Sequence, residues 1–191
     1  MRNQKTTVLA ECAVMLALAF ALSCAKLFEM PMGGSVTVAS MLPIMLIGIK
    51  YGPFIGLGTA FVYSGTQILQ AVVSGNVFPY CESGDVLVIC ILLDYLIPFT
   101  VLGLAGIFKD RFKNREIGVY VGMIGVVLVR FVCHFVTGVA IWGQWAPDGM
   151  GKYLYSLLYN GGFLSVDFII CIAIAVLMMR KKEIRRLAGL E

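Results

Sequence analysis

The sequence predicts an all-α, polytopic membrane protein: a six-transmembrane-helix bundle forming a single domain over residues 1–191. Three observations carry that reading. Hydrophobic residues make up 60% of the chain and charged residues 14%, with a mean hydropathy of +0.90, whereas soluble domains are nearer half apolar and a quarter charged. The apolar residues gather into six runs, at 8–27, 38–49, 54–73, 86–108, 118–142 and 155–179. The basic residues lie almost entirely between alternate runs.

A helix needs about 20 apolar residues to cross the hydrocarbon core. Run 8–27 meets that length. It does not read as a cleaved signal peptide, because it lacks a convincing small-residue cleavage site and the chain stays hydrophobic after it. Its Ala13, Ala17 and Ala21 recur at i, i+4, i+8, a stripe that lets another helix approach closely, from the same bundle or from a partner. Run 38–49 is too short to span. With Tyr51-Gly52-Pro53 directly behind it, it reads as a short helix or a re-entrant piece. The remaining four runs are long enough to cross.

Charge sets the orientation. With a cytoplasmic N-terminus, the inner segments hold Arg2, Lys5, Lys50, Lys109, Arg111, Lys113, Arg115, Arg180, Lys181, Lys182, Arg185 and Arg186, which is twelve of the fifteen basic residues. The outer loops hold Lys26 and Lys152, and Arg130 falls inside a span. Both termini are therefore expected in the cytoplasm. The net charge of +4 speaks for topology and for a lipid bilayer, not for nucleic acid, and the basic C-terminal tail reads as a membrane-surface anchor. Six cysteines show no CxxC or zinc-type spacing, so neither a disulfide nor a metal site is expected.

Asp94, Arg130, His134 and Asp167 fall at membrane depth. A charge there costs at least about 2.5–3.5 kcal/mol, so each needs a partner or a purpose. At the helical rise, Asp94 lies about 12 Å in from the outer end of its run, His134 at a similar depth and Arg130 somewhat deeper. Asn160 lies about 8 Å in, and Asp167 near the middle. Asp94, Tyr95, His134, Trp142, Tyr155 and Asn160 thus share the outer half of the bundle, as an outward-opening pocket requires. Arg130, His134 and Gly138 share one helix face, where Gly138 leaves a hollow. A carboxylate, aromatic faces and hydrogen-bonding groups together suit a flat, polar cation. Arg130 with Asp94 or Asp167 reads equally as an ion pair locking helices, and Trp145 and Tyr153 read as interfacial belt residues.

No Walker A motif is present: the only Gly-Lys, in DGMGKY, lacks the earlier glycine and the following Ser or Thr. No catalytic constellation and no cofactor motif appears. The chain is also small for an autonomous transporter.

Several segments together are similar to the thiamin-specific substrate-binding subunits (S-components) of bacterial energy-coupling factor transporters. They are MPMGGSVTVASMLPI (30–44), LLDYL (92–96) with LGLAGIF (102–108), VRFVCHFVTG (129–138) with WGQWAPDG (142–149), and YSLLYN (155–160). The resemblance implies a six-helix membrane fold that binds thiamin from outside. A transmembrane coupling subunit and two ATP-binding subunits would drive uptake across the bacterial cell membrane. Carried over by position, Asp94 matches the acidic pocket residue, often glutamate in relatives. Tyr95, Arg130, His134, Gly138, Tyr155 and Asn160 match pocket positions, and Trp142 an aromatic position that stacks on the vitamin. Ala13 and Ala17 match the AxxxA contact with the coupling subunit, and Gly33-Gly34-Ser35 the lid. Where some relatives carry tryptophan in the lid and third span, this chain has Gly34, Ser35 and Tyr63. Three alternatives remain: an S-component for another vitamin or precursor, a small membrane enzyme using Asp94 and His134 as acid and base, or a purely structural membrane subunit with Asp94 and Arg130 as a helix lock.

Overall fold

The computed structural model describes residues 4–190; Arg2, counted above among the inner basic residues, lies outside them. Six membrane helices run in order: α1 (Gln4–Cys24), α2 (Leu42–Tyr51), α3 (Pro53–Ser74), α4 (Gly84–Leu104), α5 (Arg115–Ala140) and α6 (Lys152–Met179). A short α7 (Lys182–Leu187) follows. A two-stranded antiparallel hairpin, β1 (Lys26–Glu29) and β2 (Ser35–Thr37), joins α1 to α2. Helices α1, α4, α5 and α6 are each long and apolar enough to cross a membrane. Helix α3 matches them in length with 22 residues, but Gln67 and Gln70 dilute its apolar run.

The second run resolves as a ten-residue helix, α2, about 15 Å long at the helical rise. It can be that short because it does not face lipid: Leu42, Ile44, Met45, Ile47 and Ile49 are all buried within the ring of the other helices. Extended chain from β2 leads into its N-terminal end. Non-helical backbone at this depth must be satisfied by protein, and Asp167 does so. Its Oδ1 accepts the Thr37 main-chain N–H and the Thr37 hydroxyl, each at 2.9 Å.

Helices α2, α3 and α4 meet backbone to backbone at Gly48, Gly56 and Gly103. A Cβ on Gly103 would collide with the Gly56 carbonyl, and one on Gly48 with the Gly103 carbonyl oxygen. Helix α1 turns Ala19 and Ser23 inward and leaves Ala13, Ala17 and Ala21 exposed. The small-residue stripe therefore does not pack within this bundle.

Helix α4 is not a regular α-helix. Its segment Ile91–Leu96 is π-helical, and the Ile97 N–H bonds Leu92 O, five residues back. Proline supplies the reason. Pro98 has no N–H to offer the Asp94 carbonyl, and in an α-helix its ring would strike that carbonyl. The wider turn relieves the clash and re-aims Asp94 and Tyr95. The C-terminal tail docks on the bundle: Ala188 and Leu190 are buried, and Arg185 pairs with Glu116 at 2.9 Å, while Lys181, Lys182 and Arg186 are exposed. Apolar residues beyond the basic run give that tail a face to bury.

Gly103→Ala is expected to lower the detergent melting temperature, because overpacking costs about 1–3 kcal/mol. Gly58→Ala, where an added Cβ meets nothing within 4 Å, is the matched control and is expected to leave it unchanged.

Candidate functional site: a lidded intramembrane cavity

A cavity of about 110 Å³ opens in the half of the bundle that carries the β1–β2 hairpin, and Asp94, Tyr95, Arg130, His134, Gly138, Trp142, Tyr155 and Asn160 all line it. Helices α3, α4, α5 and α6 form its wall, each packed on the next, and the β1–β2 hairpin lies across it.

Asp94 organises the wall. Its Oδ1 accepts from His134 Nδ1 at 3.0 Å and from the Thr137 hydroxyl. Its Oδ2 accepts from Trp142 Nε1 at 2.9 Å and from the Cys90 thiol at 3.6 Å. Four donors converge on a group that in the ionised form only accepts. The tautomer of His134 follows from its other neighbour. Arg130 Nε lies 3.3 Å from His134 Nε2, and a guanidinium can only donate. So Nε2 carries the lone pair, Nδ1 the proton, and the ring is neutral.

Arg130 makes no ion pair among the described residues with either Asp94 or Asp167. It reaches Asp94 through His134 and lays its guanidinium over the Phe99 ring, 4.1 Å from the centroid, a cation–π contact in a desolvated place. Direct locking of the helices by a salt bridge, one of the two readings open for Arg130, is thus absent here.

Gly138 serves another purpose than the hollow expected of it. A Cβ there would collide with Ser156 Oγ and stand 2.7 Å from Asn160 Nδ2. The missing side chain lets α6 close on α5. Asn160 Nδ2 then donates to His134 O at 3.0 Å and Ser156 O at 3.1 Å. Both partners are carbonyls, so the amide nitrogen must face them and Oδ1 is turned away. Trp142 tilts against Trp145 with centroids 5.8 Å apart, and Tyr80 meets Trp145 edge-on at 5.9 Å. Trp145 therefore buttresses Trp142, beyond any belt role, while Tyr153 is exposed. Outside the spans, Cys81 packs against this cluster, where burial pushes its thiol up from the ordinary range.

The lid is pinned at three places. The Tyr159 hydroxyl donates to Pro31 O and accepts from the Gly34 N–H at 3.0 Å. Asn76 Nδ2 donates to Glu29 Oε1 at 2.8 Å. Asp167 holds Thr37 at the foot. The resemblance pointed to the loop Gly33-Gly34-Ser35, which lines the cavity, but to none of these hydrogen bonds. Sequence reasoning also missed Gln67 and Gln70, which line the α3 side of the cavity; two amides three residues apart in an apolar run were the available signal.

The family model described as thiamine transporter protein (Thia_YuaJ) matches residues 9–186. The chain belongs to that family. It is 30% identical over 188 residues to the thiamine transporter ThiT of Bacillus subtilis (strain 168), covering 93% of this chain and 92% of that protein. It is 25% identical over 149 residues to the thiamine transporter ThiT of Lacticaseibacillus paracasei, covering 73% and 70%. A solved structure of ThiT from Listeria monocytogenes shares the fold, with a TM-score of 0.71 at 22% identity over 95% of this chain and 98% of that one. Like its family, the chain is a multi-pass membrane protein.

Tyr159→Phe removes a lid fastener without changing ring packing. Hydrogen exchange at the Gly34 amide is expected to speed up about tenfold or more, the worth of one hydrogen bond, while exchange within α5 stays unchanged.

Proposed function

We propose that this chain is the thiamin-binding S-component of an energy-coupling factor importer, taking the vitamin from outside into the lidded cavity. The observation that carries the reading is the convergence of Asp94, His134, Trp142, Tyr155 and Asn160 on one cavity, in a chain whose family is that of thiamine transporters. Thiamin joins an aminopyrimidine to a cationic thiazolium bearing a hydroxyethyl arm. Asp94 supplies countercharge to this cation or accepts from its amino group, preorganised by the donors around it. Trp142, with Trp145 behind it, offers an aromatic face for stacking on a charged ring. Tyr95, Tyr155 and His134 bound the ligand's rings, and Asn160 Oδ1 is an acceptor for its amino group. Arg130 positions His134, and Gly138 sets the spacing between α5 and α6.

Binding alone does not move a solute. A transmembrane coupling subunit and two ATP-binding subunits supply the work, and the exposed Ala13 and Ala17 face of α1 is where the coupling subunit packs. Both termini lie on the cytoplasmic side, together with Lys50, Lys109, Arg115 and the basic tail. The role is transport, with no chemical change to the ligand.

Titration of the purified chain in detergent, followed by tryptophan fluorescence, tests this. Trp142 and Trp145 are the only tryptophans, so quenching reports on the site. Saturable quenching at nanomolar thiamin is expected, abolished in Trp142→Ala. Asp94→Asn is expected to weaken binding about ten- to a hundredfold, as loss of a charge-assisted contact does. Undiminished binding in Asp94→Asn would remove Asp94 from its assigned role. No quenching up to high micromolar thiamin in a folded wild-type chain would overturn the substrate.

A further inference from the structure

Gln67 and Gln70 sit on the face of α3 that lines the cavity. An amide inside a membrane helix needs partners, and each finds only half of them in the protein. Gln67 Nε2 lies 3.2 Å from Ser23 Oγ, and Gln70 Nε2 lies 2.7 Å from the same atom. Gln70 Nε2 also approaches Cys24 Sγ at 3.3 Å.

Ser23 settles which way both amides face. Its hydroxyl stands 2.7 Å from Phe20 O, a separation between two oxygens that requires a proton between them. A carbonyl has none to give, so the Ser23 proton is spent there. Ser23 Oγ retains only lone pairs, and both glutamines must present N–H to it. Their Oε1 atoms are turned away, and neither accepts a hydrogen bond in any contact among the described residues.

Helix α3 thus gives the cavity a pair of oriented carbonyl oxygens. On the opposite flank, α6 and the Asp94 cluster mix donors with acceptors, as an aminopyrimidine with its amino group and ring nitrogens requires. The thiazolium half makes a different demand, since it brings a positive ring and a hydroxyl proton. Oriented carbonyl dipoles suit a desolvated cation.

We propose that Gln67 and Gln70 are ligand-contacting, specificity-determining residues whose side-chain carbonyls receive the cationic, hydroxyl-bearing half of the bound molecule. This rests on the thiamin-binding reading above. It places the cationic half of the ligand between α3, which offers the two carbonyl oxygens, and the Asp94 and Trp142 side of the cavity, which offers countercharge and a ring face.

Replacement by Met and by Glu at each position, in the full chain, tests the contact. Both substitutions delete the N–H that anchors to Ser23, but only Glu restores an oxygen acceptor. Thiamin affinity is expected to fall about tenfold in Gln67→Met and in Gln70→Met, the effect of one lost hydrogen bond to a charged partner. Gln67→Glu and Gln70→Glu are expected to bind as tightly as wild type or more tightly. Equal loss in the Met and Glu variants would overturn the proposal and assign the glutamines to packing on α1. Unchanged affinity in the Met variants would overturn it too. The ligand-free melting temperature of each variant, compared with wild type, separates a lost contact from a lost fold. Failure of the wild-type chain itself to bind thiamin would instead remove the functional reading, and this inference with it.

Discussion

The rest of the site depends on one requirement: a carboxylate held at membrane depth must be surrounded by donors. Asp94 meets it through His134, Thr137, Trp142 and Cys90. Each donor then imposes its own condition. His134 points correctly only as the Nδ1–H tautomer, which Arg130 enforces from the other side of the ring. Trp142 reaches Asp94 only because α5 ends at Ala140 and the chain turns back through a short 3-10 segment, Trp142–Trp145. Asp94 itself is aimed by the π-turn that Pro98 forces on α4. Removing any one of the four donors would leave an oxygen of Asp94 with a single partner in an apolar surrounding.

A second carboxylate does comparable work for the lid. Asp167 is buried on α6, yet it serves backbone more than charge, binding the main chain where β2 descends into the bundle. That contact permits α2 to be short and largely buried. The two acids divide the labour: one organises the cavity wall, and the other secures the segment that lies across it.

The legible parts of this arrangement were those where a residue type violates its surroundings. Asp94, Arg130 and His134 stand out in apolar runs, and helical rise alone puts Asp94, His134 and Asn160 at comparable depth. Other features leave no such mark. Gln67 and Gln70 are uncharged, and their shared partner Ser23 depends on the register between α1 and α3, which no local pattern fixes. A glycine signals only a missing Cβ; whether ligand or neighbouring helix fills the space at Gly138 is decided by Ser156 and Asn160 on a different helix. The choice of Arg130 between two acids was likewise three-dimensional, and it bonds directly to neither.

The division between a fixed wall and a fastened cover has a kinetic meaning. A wall held by Pro98, by close glycine contacts and by a carboxylate with four donors has little to rearrange, so on the proposed reading ligand entry would be limited by how often the hairpin lifts. Escape requires the same lift with the ligand's own contacts broken as well. Tyr159, Asn76 and Thr37 hold the hairpin from three separate elements. Differences in affinity between ligands should therefore appear chiefly as differences in residence time, with capture rates nearly alike. On the thiamin-binding reading proposed above, that makes the cover a timer that sets how long the cargo stays aboard.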